Sequence, residues 1–375
     1  MQPGPQAHAR EVRAQHLSCR SCHPSETSFC GSRYELWSRL LNESGREIPW
    51  EVSWPAYTFN REPSPSGSGA AAGANAFNTD LWWHSAAVGH EFRFYNDNTA
   101  NWLHILDIAA WTHEADLARF HRPGAFAFMD MLESGIGSLT FAESRAHFGL
   151  WVLMAQPLHL GMDLRNASAG LMDVFTNEEV IRLGADDTLA KMGWRVSMDD
   201  GRLNGTQVWA RELHDGSMLL GLLNAESAEA ADTCTWEERS GGFYQVQPAT
   251  AAGNYACYDA HTGAAAMKAS CCAAGTEACV SVAVSAAGGG CAKRNDDGGW
   301  LNQTGYVDYR VKAGHKQPVT GPPKRICADL NDIFINPYSN ASVRDLWGRR
   351  DLGAHLGQFC AEVASHDLGL FLVRQ

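Results

Sequence analysis

One stretch limits the folds open to this chain more than any other: Met129 to Arg165, MDMLESGIGSLTFAESRAHFGLWVLMAQPLHLGMDLR. It opens on an acidic turn, passes Gly135 and Gly137, and enters a helix at Thr140. Thr140 and Glu143 form a T-x-x-E capping box, in which each side chain satisfies an orphan backbone N–H of the first turn. Apolar residues crowd the segment Phe148 to Met154, and Pro157 ends the helix by removing a donor and clashing with the preceding turn. The apolar, glycine-bounded run Leu158 to Met162 then predicts a buried strand, with charged Asp163 and Arg165 at its end. A further helix is expected from about Ala169. Helix, break, strand and helix make an α/β unit.

Size and charge narrow the function. The chain has 375 residues, 45% hydrophobic and 19% charged, enough for two domains. A formal net charge of −12 argues against nucleic acid and against anionic membrane surfaces. No apolar run is long enough to span a bilayer, so membrane insertion is not expected. The first residues, MQPGPQAHAREVRAQHLS, hold no apolar signal-peptide core. Sequons at Asn42, Asn166, Asn204, Asn302 and Asn340, with 11 cysteines, nevertheless point to an oxidising, secretory setting. These two observations conflict unless the chain is the later part of a longer protein.

Near the start, Cys19, Cys22 and His23 spell C-x-x-C-H, with Cys30 close by. That is the form of a c-type haem attachment or half a zinc site, but the further ligands that either needs are not evident. Tyr34, Leu36, Trp37, Leu40 and Leu41 recur at helical spacing up to Gly45. Ile48 to Tyr57 reads as a strand closed by Pro55, and residues 62–75 as a Ser/Gly/Ala/Pro loop. Arg93 and Asp97, four apart, could be no more than a surface ion pair on a helix.

Three motifs change that reading. MLESGIGSLTFAESRAHFGLWVLMAQPLHLGMDLRN resembles the late-barrel segment of the melibiase-type glycosidases, the α-galactosidases and α-N-acetylgalactosaminidases (glycoside hydrolase family 27). In that family a W-N-D-P-D-M-L element precedes it, reduced here to Phe126–Leu132 with Asp130 at the second Asp. The string Ser53-Trp54-Pro55-Ala56-Tyr57 resembles the fifth-strand motif. Arg93, Asp97 and Trp102 fall on the Arg, first Asp and Trp of W-R-N-x-x-D-I-x-D-x-W.

The resemblance implies a (β/α)₈ TIM-type barrel, of which only the second half is present, followed by an antiparallel β-sandwich. It also implies a retaining exoglycosidase acting on terminal α-D-galactose or α-N-acetylgalactosamine of oligosaccharides, glycoproteins or glycolipids. Such enzymes hold two carboxylates about 5–5.5 Å apart, one attacking the anomeric carbon and one protonating the leaving oxygen. Asp97 takes the proton-donor role and is expected to be buried, since burial keeps a carboxyl protonated. Arg93 binds the ring near C2, and Ser53, Trp54, Ala56 and Asp130 complete the substrate-binding set. Ser53 faces the C2 substituent, and its small size with Ala56 resembles the N-acetylgalactosaminidase pattern. Asp130 supports the strand-end loop.

One position departs from the family. LSCRSC falls where K-x-D-x-C belongs, so Ser18 replaces the Lys and Arg20 the nucleophilic Asp, while Cys22 keeps the Cys. A guanidinium cannot attack a sugar. The alternative function is therefore a catalytically dead, sugar-binding relative. No metal or cofactor is implied, and a homodimer is left open.

Three segments are expected: an irregular Cys-rich segment 1–33, a half-barrel 34–200 and a β-sandwich 201–375. The sandwich carries an insert at about 234–325, in which Cys234, Cys257, Cys271, Cys272, Cys279 and Cys291 staple a segment too poor in large apolar residues for a core of its own. A half-barrel exposes sheet edges and a core face, so the sequence is expected to be an incomplete reading of a longer gene, garbled up to about residue 33.

Overall fold

The structure is a computed structural model. It describes residues 27–53, 79–95, 97–137, 139–184, 189–199, 205–226, 235–244, 254–258, 264–265, 267–268, 271, 281–286, 290–293, 300–313, 321–333 and 339–375. The N-terminal cysteine motif, Arg20, Trp54, Ala56 and the 62–75 loop lie outside these residues.

Helix α1 (Thr27–Glu43) covers the predicted Tyr34–Leu41 pattern. It ends before Gly45, whose φ of 65° suits a residue without a Cβ. Strands β1 (Glu51–Val52), β2 (Glu91–Arg93) and β3 (Phe126–Phe128) form a parallel sheet in that order. Helices α2 (Thr79–Val88) and α3 (Trp102–Glu114) cross between them, giving two successive βαβ units. Val52, Phe92 and Ala127 point to the helical side and are fully buried. Their neighbours Glu51, Glu91 and Phe126 point the other way, as the period of two requires.

Arg93 and Asp97 do not share a helix. Arg93 closes β2, Asp97 lies in the following loop, and α3 starts only at Trp102, capped by Asn101 accepting from the His104 N–H at 2.9 Å.

The anchor stretch folds largely as its chemistry dictates. Helix α4 (Phe141–Leu153) begins at Thr140 with both halves of the capping box formed. The predicted strand Leu158–Met162 is not a buried strand. It is one parallel bridge, Leu132 to Leu160, and its residues are partly exposed. Among the described residues no further strand lies beyond it, so nothing covers its far side or completes a ladder. Helices α5 (Ala169–Phe175) and α6 (Glu178–Gly184) follow.

A β-sandwich comes next. Its larger sheet runs β14-β13-β16-β6-β5-β4 and its smaller pairs β12 with β15. The strands are β4 (Trp194–Asp199), β5 (Thr206–Glu212), β6 (Met218–Asn224), β12 (Lys324–Asp329), β13 (Ala341–Asp345), β14 (Arg350–His355), β15 (Gln358–Val363) and β16 (Asp367–Arg374). The β5–β6 hairpin turns at the predicted Asp215-Gly216, with Gly216 at φ 80°. Ile326, Phe359 and Val363 pack on Leu220, Leu222, Val343 and Phe371 between the layers. Cys327 and Cys360, opposite each other on β12 and β15, are joined by a disulfide.

Strands β7 (Thr235–Tyr244), β8 (Asn254–Tyr258), β9 (Ser281–Ser285), β10 (Gly290–Lys293) and β11 (Trp300–Ala313) make a separate antiparallel sheet, ordered β7-β11-β9-β10-β8. Cys271 and Cys291 each take part in a disulfide. Met267, Val282 and Val284 are buried in the same apolar cluster as α3 and α4, so this sheet leans on the main core.

The two larger parts meet at α4 and β16. Glu143 serves both: Oε2 accepts from the Thr140 N–H at 2.7 Å, and Oε1 lies 2.7 Å from Nδ1 of His366. The Trp102 ring stacks on His366 at 5.4 Å, and Arg145 ion-pairs with Asp367.

Candidate active site

Parallel strands present their C-terminal ends at one rim, where loops gather polar groups on a rigid base. Arg93 stands at that end of β2, nearly buried. Its Nη2 donates to Asp130 Oδ2 at 2.8 Å and to Asp97 Oδ1 at 3.1 Å. One guanidinium thus draws in carboxylates from two successive strand-end loops, a charge-assisted arrangement suited to its planar fork.

Asp130 is the best-anchored member. Its Oδ2 also accepts from the Asn98 N–H at 2.7 Å, and its Oδ1 from the Met131 N–H at 2.8 Å. Trp151 Nε1 donates to its backbone carbonyl at 2.8 Å. The backbone there has φ 75°, a conformation Asp tolerates better than most residues. Asn98, beside Asp97, is fixed in turn: its Nδ2 donates to the Met131 carbonyl at 2.8 Å and lies 3.4 Å from Nε2 of His147. Asp130, Asn98 and Arg93 therefore set the place of Asp97.

Asp97 itself is open. Its side chain is 69% exposed, against 15% for Asp130. The burial expected of a proton donor is absent, because Asp97 sits on a loop projecting past the strand ends, where Arg93 pairs with it from one side. Carboxyls whose pKa burial raises stand nearby instead. Glu91 is pushed up to about 7 by desolvation and then by Glu51, its in-register neighbour on β1. Glu133 is also raised, by burial and then by Asp130. His159 Nε2 lies 3.7 Å from Glu91. Burial lowers His104, whose ring packs on Tyr95, to about 4.

Ser53 directly follows β1, so continuing the register places it beside Arg93. Its hydroxyl donates to Glu51 Oε1 at 2.8 Å. Trp102 is placed by α3 against His366 and not against Arg93. Of the predicted set, then, Arg93, Asp97 and Asp130 meet, Ser53 adjoins them, and Trp54 and Ala56 fall outside the described residues. Glu51, Glu91 and Glu133 escaped the sequence reading. The available signal was their spacing: Glu51 and Glu91 each stand two residues before a predicted site residue on the same strand face.

Residues 7–186 match the family model for alpha galactosidase A, of the melibiase type. Alpha-galactosidase 3 of Arabidopsis thaliana is 32% identical over 210 residues, 55% of this chain and 41% of the relative. Alpha-N-acetylgalactosaminidase of Homo sapiens is 31% identical over 189 residues, 50% of this chain and 41% of the relative. The chain thus spans about two fifths of the length of these curated relatives. Among solved structures, alpha-galactosidase I of Mortierella vinacea superposes with a TM-score of 0.53 at 16% identity, covering 92% of this chain and 62% of that one. The alpha-galactosidase of Saccharomyces cerevisiae gives 0.54 at 15% identity, covering 92% and 68%. At such identities the likeness speaks to fold alone. Sequence and fold together make residues 7–186 of this chain similar to the melibiase-type glycoside hydrolases.

Proposed function

We propose that this chain carries the acid/base side of a retaining exoglycosidase that removes terminal α-D-galactose or α-N-acetylgalactosamine. The observation that supports it most is the convergence of Arg93, Asp97 and Asp130 at one rim of a parallel sheet, at positions matching the family's motifs.

In this reading Asp97 protonates the departing glycosidic oxygen and then deprotonates the incoming water. Its exposure gives it access to both. Arg93 binds the ring near C2, and Asp130 keeps Arg93 and the Asp97 loop in position. Ser53 faces the C2 substituent. The natural substrates are oligosaccharides, glycoproteins or glycolipids, met in the secretory pathway. Supporting that setting, Asn42, Asn166 and Asn340 are exposed where glycans attach, and Cys327–Cys360 is oxidised. Among the described residues no helix is long and apolar enough to cross a membrane.

The test is to assay the full chain on p-nitrophenyl α-galactoside and its 2-acetamido counterpart, with Asp97→Asn as control. Release of nitrophenol that the substitution lowers at least a hundredfold supports the reading. Sugar binding without release from either substrate would favour the non-catalytic alternative raised by Arg20, which the relatives' names do not favour. Neither binding nor release would overturn both.

A further inference from the structure

The hydroxyl of Ser53 is committed before any sugar arrives. It donates at 2.8 Å to Glu51 Oε1, and a carboxylate can only accept. A serine has one hydroxyl proton and two lone pairs, so with the proton spent on Glu51 only acceptor capacity remains for a ligand. The arrangement is built into the strand: Glu51 and Ser53 share a face two residues apart, while Val52 between them is sealed in the core. On the adjacent strand Glu91, level with Glu51, has its carboxyl pushed up to about 7 by burial and then by Glu51.

We propose that Glu51 is a specificity-determining residue: by holding the Ser53 proton it makes Ser53 an obligate acceptor, and the pocket takes sugars whose C2 group donates a hydrogen bond. This rests on the reading of Ser53 as facing C2. A 2-acetamido N–H and a 2-hydroxyl both donate. A 2-fluoro group does not, and it leaves the serine lone pairs buried against fluorine, the kind of mismatch a polar site rejects strongly.

The test is calorimetric titration of the full chain with methyl α-N-acetylgalactosaminide, methyl α-galactoside and methyl 2-deoxy-2-fluoro-α-galactoside. The wild type should bind the two donor-bearing sugars at least tenfold more tightly than the fluoro sugar. In Glu51→Gln the amide can donate to Ser53 and release its proton outward, so the gap should shrink to threefold or less. Ser53→Ala should erase the gap as well, and adding Glu51→Gln to it should change nothing further. A wild type that binds the fluoro sugar as tightly as the others, or a gap kept in folded Glu51→Gln, overturns the proposal while leaving the sugar site standing. If Glu51→Gln does not fold, a gap kept in Ser53→Ala overturns it. No binding of any of the three sugars overturns both the proposal and the functional reading beneath it.

Discussion

Arg93, at the end of β2, and Asp130, in the loop after the neighbouring β3, share a 2.8 Å ion pair, and the same Asp130 oxygen accepts the backbone N–H of Asn98 at 2.7 Å. A nearly buried guanidinium is thus neutralised by the group that also fixes the loop carrying Asp97. Breaking such a pair from one side leaves a charge without its counterion, which is more costly than the pair is favourable.

Asp130→Asn should therefore act at a distance. Asn tolerates the positive φ and keeps acceptor capacity for Asn98, but it loses the charge opposite Arg93. We expect sugar binding to weaken about tenfold and the fold to lose about 1–3 kcal/mol. Asp130→Ala should be worse on both measures, since it adds an unfavourable backbone conformation. Equal melting temperatures for Asp130→Asn and wild type would show that Asp97 holds Arg93 unaided.

Glu91 makes stability fall as pH rises. Its folded pKa of about 7 lies above its ordinary 4.5, so between those values the folded state binds more protons than the unfolded. Its contribution is complete below about pH 4.5 and is lost by the time the pH exceeds about 7. Glu91→Gln, which stays neutral, should match wild type near pH 4 and exceed it near pH 8 by up to about 3 kcal/mol. Buried His121 and His147, lowered to about 3, act in the opposite sense, losing stability below about pH 6.5. Because they are common to both proteins, the variant-minus-wild-type difference isolates Glu91. Denaturant titrations at both pH values measure it, and a pH-independent difference would sink the assignment.

Gly149 lies inside helix α4, where glycine is unfavourable by roughly 1 kcal/mol relative to alanine. Packing explains it: a Cβ at this position would come within 2.5 Å of Leu368 Cδ2 and 3.2 Å of Trp347 Cζ2. Gly149→Ala should thus lower stability by about 1–3 kcal/mol through overpacking, against the helix-propensity gain. Thermal unfolding reads the sign directly; a stabilised variant would mean that β16 can move away at little cost.

The Cys327–Cys360 bond closes a loop with a sequence separation of 33. Replacing both cysteines by serine should cost about 3–4 kcal/mol on the chain-entropy account. Reducing conditions should destabilise wild type by more than they destabilise the doubly substituted protein, because the disulfides of Cys271 and Cys291 are lost in both and Cys327–Cys360 only in wild type; an equal loss in the two proteins would rule this out.

Local chemistry was legible in the chain. The Thr140–Glu143 cap, the Asp215-Gly216 turn and the end of α1 near Gly45 depend on residues a few positions apart, and each formed as its side chains require. Arg93, Asp97 and Asp130 were legible only as motif positions. Spacing alone suggested a helical ion pair, yet strand β2 ends between the first two. The misjudged piece was Leu158–Met162, whose apolar run promised burial that only neighbouring strands can supply.

What the sequence by itself determined is which caps, turns and strand faces form, because these follow from side chains acting on their own backbone. Only the tertiary structure decided that Glu51 stands level with Glu91, that Ser53 gives its proton to Glu51, and that Arg93 reaches Asp130. Those relationships come from the register between parallel strands joined by crossover helices. That register is fixed by how Val52, Phe92 and Ala127 pack beneath the sheet, a many-body condition that no short stretch of sequence contains.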